Sequence, residues 1–142
     1  MRLYHFTCNH GHEALTLDPC VRPLAARLEP HQLAEAVRYG PPDLLALLPF
    51  AWFTDLDEPV GDALGLTRYW IGCDRTAHRW RVAAVVEPVP WTVLRVGIPR
   101  LVRAQLEAAP GALPRHWYVS KRPVPVEHDP TRAELAASRM RA

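Results

Sequence analysis

The sequence lacks the features that mark several large classes of protein. Its most apolar stretch, residues 44–53, is broken by Pro49 and falls short of the roughly 20 residues that span a bilayer. It also has no G-x-G-x-x-G, P-loop, G-x-S-x-G or H-E-x-x-H motif. We therefore expect no membrane partner, and the common dinucleotide, nucleotide, esterase and zinc-protease assignments have no motif support.

Charge and cysteine are also sparse. With 17 basic and 15 acidic residues the net charge is only +2, which is too small for a dedicated binder of nucleic acid or of membrane surfaces. The balance favours a small ligand or a protein partner. The three cysteines are an odd number without disulfide-like spacing, and no hydrophobic signal segment follows Met1. We expect a reduced, cytoplasmic setting.

Proline and tryptophan are the abundant residues. The chain of 142 residues contains 15 prolines and five tryptophans, so we expect short elements, many turns and a core that contains a sheet. This length suits a single domain over residues 1–128, followed by a loosely packed helix or tail over residues 129–142. The predicted class is α+β, a sheet with a few short helices.

Period-two and helical patterns predict the individual elements. Strands are expected at 3–7, at 50–54 as a central strand, in a hairpin formed by 69–73 and 79–86, at 117–120, and at 123–126 as an edge segment that tolerates proline. Helices are expected at 11–17, 31–39, 99–109 and 131–140, with Asp129 as the N-cap of the last. Pro30 and Gly40 bound the second of these helices.

The first strand carries the clearest candidate site. Leu3, His5 and Thr7 share one face, and Tyr4 and Phe6 share the other, so His5 and Thr7 can face a cleft while the aromatic rings enter a core. A histidine ring donates from one nitrogen and accepts at the other, which suits a ribose hydroxyl or a carboxamide. The alternative is a half-buried histidine bonded to a neighbouring backbone group.

Two further groups of residues suggest ligands. Cys8, His10 and His12 form a Cys-x-His-x-His cluster that zinc would accept, and further ligands are available from Cys20, Cys73 and His78. Because no second closely spaced pair exists, we expect no metal. The run 74–76 reads as a hairpin turn through its aspartate, while Arg75 either reaches a phosphate or stays solvated.

Two motifs together resemble a known family. The run Leu3-Tyr4-His5-Phe6-Thr7, followed by Ala51-Trp52-Phe53-Thr54, is similar to the first two motifs of the ADP-ribosyltransferase superfamily. Its small rifampin-modifying transferases and RNA 2′-phosphotransferases share this layout, and residues 81–88 resemble the strand that follows in the rifampin type. The resemblance implies a split, strongly bent mixed sheet that grips NAD without a Rossmann motif.

The resemblance also implies roles for individual residues. His5 would hold the ribose or carboxamide of NAD, Thr7 would support it, and Trp52 or Phe53 would stack on the nicotinamide. The full set of implied cofactor-binding residues is His5, Phe6, Thr7, Trp52, Phe53, Thr54 and Arg75.

The chain departs from the family pattern at two catalytic positions. Trp52 stands where many members have tyrosine, and His116 stands where a glutamate usually opens a late strand. Loss of nicotinamide passes through an oxocarbenium-like cation that a carboxylate stabilises. The nearest later carboxylate is Glu127, which is preferred over Glu87 as the candidate acid, so the predicted catalytic set is His5, Trp52, His116 and Glu127.

The expected activity is transfer of ADP-ribose from NAD, with release of nicotinamide, to a protein, nucleic-acid or small-molecule acceptor. The alternative is a non-catalytic module on the same fold that binds a nucleotide or a protein partner.

Overall fold

The computed structural model describes residues 1–65, 73–83 and 88–141, and within these ranges the chain has seven strands and seven α-helices. The predicted α+β class is confirmed. The strands are β1 Tyr4–Thr7, β2 Cys20–Val21, β3 Ala51–Thr54, β4 His78–Val82, β5 Val89–Pro90, β6 Trp117–Ser120 and β7 Val124–His128. The helices are α1 Asn9–Leu17, α2 Leu24–Arg27, α3 Pro30–Tyr39, α4 Pro42–Leu47, α5 Trp91–Leu94, α6 Arg100–Leu106 and α7 Arg132–Arg141. Short 3-10 turns cover Arg95–Gly97 and Pro114–His116.

The strands form a sheet in the order β2-β7-β4-β1-β3-β6-β5. Every pairing between the described strands is antiparallel, whereas the resemblance implied a mixed sheet. The sequence predicts β3 as a central strand, and β3 does lie inside the sheet between β1 and β6. The middle strand of the seven is β1, which pairs with both β3 and β4. The strand that carries His5 is therefore supported on both edges.

The expectation that β7 is an edge strand is wrong. It lies between β2 and β4, and Pro125 is tolerated there because its position coincides with the end of β4. The Pro125 carbonyl accepts from the Ala83 N–H at 3.0 Å, one residue beyond that end. Of the predicted hairpin, residues 69–72 and 84–86 lie outside the described ranges, and the described part is β4.

Three predicted helices are present as α1, α3 and α6, with changed ends. Pro30 begins α3, and the Gly40 N–H closes it by donating to the Ala36 carbonyl. The helix predicted over 99–109 ends at Leu106, and its residue Leu101 is 80% exposed. None of the helices in the described ranges has the length and apolar content that crossing a bilayer requires.

The terminal helix α7 begins differently from the prediction. Its N-cap is Thr131, not Asp129, because Thr131 and Glu134 form a capping box. The Glu134 N–H donates to Thr131 Oγ1 at 3.1 Å, and the Thr131 N–H donates to Glu134 Oε1 at 3.2 Å. No residue of α7 is buried, so its attachment depends on this first turn.

The sheet separates two clusters of buried side chains. The first core, on the His5 face, consists of Leu3, Leu15, Val21, Ala51, Phe53, Trp80, Tyr118, Val124 and Val126. The tryptophan core, on the other face, consists of Phe50, Trp91, Leu106, Trp117 and Val119, with Trp52 packed against it. Because side chains alternate along a strand, neighbouring residues of β1 and β3 enter opposite cores.

Candidate functional site

A pocket of about 240 Å³ opens on the His5 face of the sheet. The ends of β1, α1, β2 and α2 surround it, and its polar or small lining residues include His5, Thr7, Gly11, Cys20, Arg22 and Arg27. The predicted orientation of the first strand is confirmed, because His5 and Thr7 both line this pocket. A cavity of about 250 Å³ beside α6 is lined by Asp62, Gln105 and apolar groups, with no cation among its described lining residues.

Gly11 permits the close approach of α1 to β1. The chain leaves β1 at Thr7, turns at Cys8 and enters α1 at Asn9. A Cβ atom on Gly11 would overlap Thr7 Oγ1, so any other residue at this position would push α1 away from the strand. The glycine therefore sets the width of the pocket at this end.

His5 is held as a neutral hydrogen-bonding group. Its Nδ1 lies 2.8 Å from the Trp52 carbonyl oxygen, and because that oxygen only accepts, Nδ1 carries the proton. Burial lowers the pKa of His5 to about 4. The ring thus keeps Nε2 as an acceptor, which is the group that a ligand hydroxyl or amide N–H would need. The expected hydrogen bond from His5 to a backbone group is present at Nδ1, whereas recognition of a ligand by Nε2 stays a prediction.

The depressed pKa of His5 predicts that the folded state becomes less stable as the pH falls from 6.5 to 4. In this window the unfolded imidazole binds a proton at its ordinary pKa of 6.5, while the folded ring binds one only near 4. The unfolded state then holds more protons, so the stability contribution is complete above pH 6.5 and falls as the pH drops, by about 3 kcal/mol in total.

Urea denaturation of the wild type and His5→Gln between pH 7 and 4 measures this effect. The variant is expected to lose less stability on acidification than the wild type. His31→Gln, which removes an exposed histidine from α3, is the control and should follow the wild type. Parallel pH profiles for the wild type and His5→Gln would contradict the assignment.

Two arginines give the pocket its charge. Arg27, at the end of α2, lines the pocket and is exposed as a residue, while desolvation of its guanidinium group and then the positive charge of Arg75 lower its pKa. The positive charge of Arg75 also lowers the pKa of His5 and of Cys8, so this charge lies near the same end of the pocket. The Nε atom of Arg75 is buried without a hydrogen-bond partner. Among the described carboxylates none forms an ion pair with either guanidinium, so the pocket is electropositive and suited to an anion.

The single carboxylate among the described lining residues of the pocket is already paired. Asp18 Oδ2 lies 2.7 Å from Arg22 Nη1, and both side chains are largely exposed at the rim. Glu87 lies outside the described residues. The described part of the pocket therefore presents cations and neutral donors, but no unpaired acid.

The predicted cofactor-binding residues divide between the two faces of the sheet. Phe53 shares the face of His5, with the two ring centroids 5.8 Å apart. Trp52 enters the tryptophan core, where its ring centroid lies 5.1 Å from that of Trp91. Phe6 and Thr54 also face away from the pocket, and Thr54 Oγ1 accepts from the Leu56 N–H. The structure thus places His5 and Thr7 in the lining of the pocket, with Phe53 and Arg75 near His5 but outside the lining. Phe6, Trp52 and Thr54 do not reach the pocket.

His116 and Glu127, the other predicted catalytic residues, also lie away from the pocket. His116 Nδ1 lies 2.6 Å from Asp55 Oδ1, and the Tyr118 hydroxyl donates to Asp55 Oδ2 at 3.4 Å. Burial and the Asp55 charge raise the pKa of Tyr118. Glu127 is exposed on the opposite face, where Arg81 lies 3.4 Å from it. Neither residue lines the described pocket.

Helix α1 divides the predicted metal-ligand cluster into two groups. His10 and His12 are two residues apart on a helix, about 200° around its axis, so they point in opposite directions. His10 lies beside Cys8 and Cys73, while His12 lies beside His78 and His128. The sequence indicated most of these residues but could not assign them to separate groups.

The histidine group is a hydrogen-bonded network. The rings of His12 and His78 stack with centroids 3.9 Å apart. Glu134 Oε2 contacts His78 Nδ1 at 2.9 Å and His128 Nε2 at 3.0 Å, and Asn9 Oδ1 contacts His78 Nε2 at 2.6 Å. Both nitrogens of His78 therefore have protein partners. The network joins α1, β4, β7 and α7.

Comparison with protein-family models, curated proteins and solved structures gives no match to this chain. The function is therefore inferred from the geometry of the pocket. Arg27 and Glu134 are the important residues that the sequence reasoning missed. The Thr131-x-x-Glu134 spacing of a capping box signals Glu134, whereas no local pattern distinguishes Arg27 from the other arginines.

Proposed function

We propose that this protein binds NAD in the electropositive pocket and belongs to the ADP-ribosyltransferase type. The observation that carries the proposal is that Arg27 lines the pocket together with His5 and Thr7, while Arg75 is near enough to lower the pKa of His5 and of Arg27. Neither guanidinium group has a carboxylate partner among the described residues. The resemblance of the β1 and β3 sequences to the first two motifs of that superfamily supports the same ligand.

Each part of NAD has a suitable group in this arrangement. The pyrophosphate would lie between Arg27 and Arg75, since guanidinium groups bind phosphate oxygens with two parallel hydrogen bonds. Nε2 of His5 would accept from a ribose hydroxyl or from the carboxamide, with Phe53 packed beside the ring. A volume of about 240 Å³ accommodates one part of the dinucleotide, so the remainder would extend along the open side.

As an enzyme, the protein would transfer ADP-ribose to a protein, nucleic acid or small molecule and release nicotinamide. The bond between ribose and nicotinamide breaks as positive charge develops on the ribose, and a nearby carboxylate would stabilise that charge. Asp18 could do so after release from Arg22, and Glu87 is the other candidate. A neutral His5 would position the ribose by accepting a hydrogen bond at Nε2.

The second candidate is a non-catalytic module that binds NAD or a related nucleotide. It is favoured by one observation, which is that Asp18, the carboxylate among the described lining residues, is held by Arg22 at 2.7 Å. In this case the ligand would be bound and remain intact.

Neutralising Arg27 is expected to weaken NAD binding by about 10- to 100-fold, because one charge-assisted hydrogen bond contributes roughly 1.5–3 kcal/mol. The variant Arg27→Met keeps the aliphatic part of the side chain and removes the charge. Titration of the protein with NAD, followed by melting temperature and by free nicotinamide, measures binding and turnover together. At 100 times the dissociation constant NAD should add about 2.7 kcal/mol of stability.

The matched control is Arg38→Met, since Arg38 is exposed on α3 and its guanidinium lies over the Tyr39 ring. It should bind NAD as the wild type does. Stabilisation with nicotinamide release would support the transferase, and stabilisation without release would support the binding module. No stabilisation of the wild type by NAD would overturn the transferase, and no stabilisation by NAD, ADP-ribose or ADP would overturn the binding module as well.

A further inference from the structure

We propose that Cys8, His10 and Cys73 form a zinc site, which fastens the turn that carries Arg75 to the start of α1. The proposal concerns a metal ion and does not depend on NAD as the ligand of the neighbouring pocket. Cys8 and His10 come from the junction of β1 and α1, whereas Cys73 comes from more than 60 residues later in the chain.

The distances agree with coordination of one ion. Cys73 Sγ lies 3.5 Å from His10 Nδ1, and Cys8 Sγ lies 3.9 Å from the same nitrogen. With Zn–S bonds of about 2.3 Å and Zn–N bonds of about 2.0–2.1 Å, tetrahedral geometry places sulfur and nitrogen about 3.5–3.6 Å apart. All three ligand atoms lie within 4.8 Å of one another.

Hydrogen bonding alone does not explain why two sulfurs surround one nitrogen. Nδ1 of a histidine carries either one lone pair or one proton, so it can form one strong hydrogen bond. A shared metal ion accounts for both sulfurs at once.

The charges around the site are also consistent with zinc. Two thiolates balance the charge of Zn²⁺, so the loaded site would be neutral beside the positive Arg75. Three protein ligands leave a fourth tetrahedral position for a water molecule. The histidine group of His12, His78 and His128 fits less well, because both His78 nitrogens are bonded to Glu134 and Asn9.

The metal would act on the pocket through the turn that follows Cys73. Asp74 Oδ1 accepts from the Thr76 N–H at 2.9 Å and from the Thr76 hydroxyl at 2.7 Å, which makes a compact turn around Arg75. A zinc bond to Cys73 would hold this turn against α1. The Arg75 charge would then be kept close to His5 and Arg27.

The full-length chain, purified under reducing conditions and incubated with Zn²⁺, is expected to retain about one zinc per molecule. Elemental analysis after gel filtration gives the metal content, and titration with Co²⁺ should produce the near-ultraviolet absorption of cobalt–thiolate bonds. Cys73→Ser and Cys8→Ser should each lose most of the bound metal and this absorption. Zinc should raise the melting temperature of the wild type but not of Cys73→Ser.

The control is Cys20→Ser, which makes the same chemical change at a cysteine outside the cluster and should retain the metal. Cys73→His replaces one zinc ligand with another and should restore zinc binding that Cys73→Ser lacks. Circular dichroism confirms that each variant is folded. A folded wild type that retains no zinc, or equal metal loss in Cys20→Ser and Cys73→Ser, would overturn the proposal.

Discussion

Replacing Glu134 with alanine is expected to lower the free energy of unfolding by about 3–5 kcal/mol, because it removes a buried charge from a network of partners. The carboxylate is 7% exposed and contacts the side chains of His78 and His128. It also accepts from the backbone N–H groups of Arg79 and Thr131, at 2.7 and 3.2 Å. Alanine would leave all four groups without this acceptor.

The loss of stability in Glu134→Ala should be concentrated at the C-terminus. Helix α7 has no buried residue, so the contacts of Glu134 are the main connection between its first turn and the sheet. Hydrogen exchange should therefore show faster exchange of the α7 amides in Glu134→Ala than in the wild type. If the α7 amides of Glu134→Ala exchanged as slowly as those of the wild type and its free energy of unfolding were unchanged, this account would be contradicted.

Two further variants separate the causes. Glu134→Gln keeps an oxygen that can accept the backbone hydrogen bonds but removes the charge, so it should fall between the wild type and Glu134→Ala. Glu35→Ala makes the same truncation at an exposed position of α3 and should change stability by no more than about 0.5 kcal/mol. Urea denaturation at pH 7 measures the free energy of unfolding of Glu134→Ala, Glu134→Gln and Glu35→Ala.

The pKa of Glu134 gives this contribution a pH dependence. Burial alone raises the pKa, but hydrogen bonds from His128, the Arg79 backbone, His78 and the Thr131 backbone outweigh burial and hold it below the ordinary 4.5. A depressed carboxylate pKa means that the stabilisation is present above pH 4.5 and disappears as the pH falls through the lower folded value. Glu134→Gln should lack this part of the acid sensitivity.

Replacing Trp91 with alanine is expected to cost about 3–5 kcal/mol, as for other fully buried aromatic residues. Trp91 is 0% exposed and occupies the tryptophan core beside Trp52 and Trp117. Its indole N–H donates to Glu107 Oε1 at 2.8 Å, and the same oxygen accepts from Arg95 Nε at 2.7 Å. Alanine would leave a cavity and remove one donor from this carboxylate.

Trp91→Phe keeps a six-membered aromatic ring and loses the pyrrole part of the indole with its hydrogen bond, so its cost should be clearly smaller than that of alanine. Val93→Ala, at a 63% exposed position of the same short helix, is the control and should be nearly neutral. Because the tryptophan core lies on the face of the sheet opposite the pocket, Trp91→Phe should leave NAD binding unchanged. A larger cost for Val93→Ala than for Trp91→Ala would contradict the assigned core.

Much of the local structure could be predicted from the sequence, because local structure depends on residues that are close in the chain. The alternation of Leu3 to Thr7 indicated both a strand and which side chains share a face. Pro30 and Gly40 indicated the two ends of α3. The ends of α7 were predicted to within one residue, but Asp129 was wrongly chosen as its N-cap although the Thr131-x-x-Glu134 spacing was present in the sequence.

The candidate site was only partly predictable. His5, Thr7 and Arg75 were identified from the pattern and the resemblance, and the structure places His5 and Thr7 in the lining of one pocket with Arg75 near them. Trp52 was expected beside them but enters the opposite core, since it alternates with Phe53 along β3. Arg27 was missed because the sequence around it resembles that of many exposed arginines.

By itself, the sequence determined the α+β class, the strand that carries His5, and the absence of the common nucleotide-binding motifs. Only the tertiary structure decided that Arg27 and Arg75 meet at His5, that Cys73 joins Cys8 and His10, and that His12 belongs to a different group. The physical reason is that periodicity and capping act over a few residues. The meeting of distant side chains depends instead on strand order, register and helix packing, which no local pattern contains.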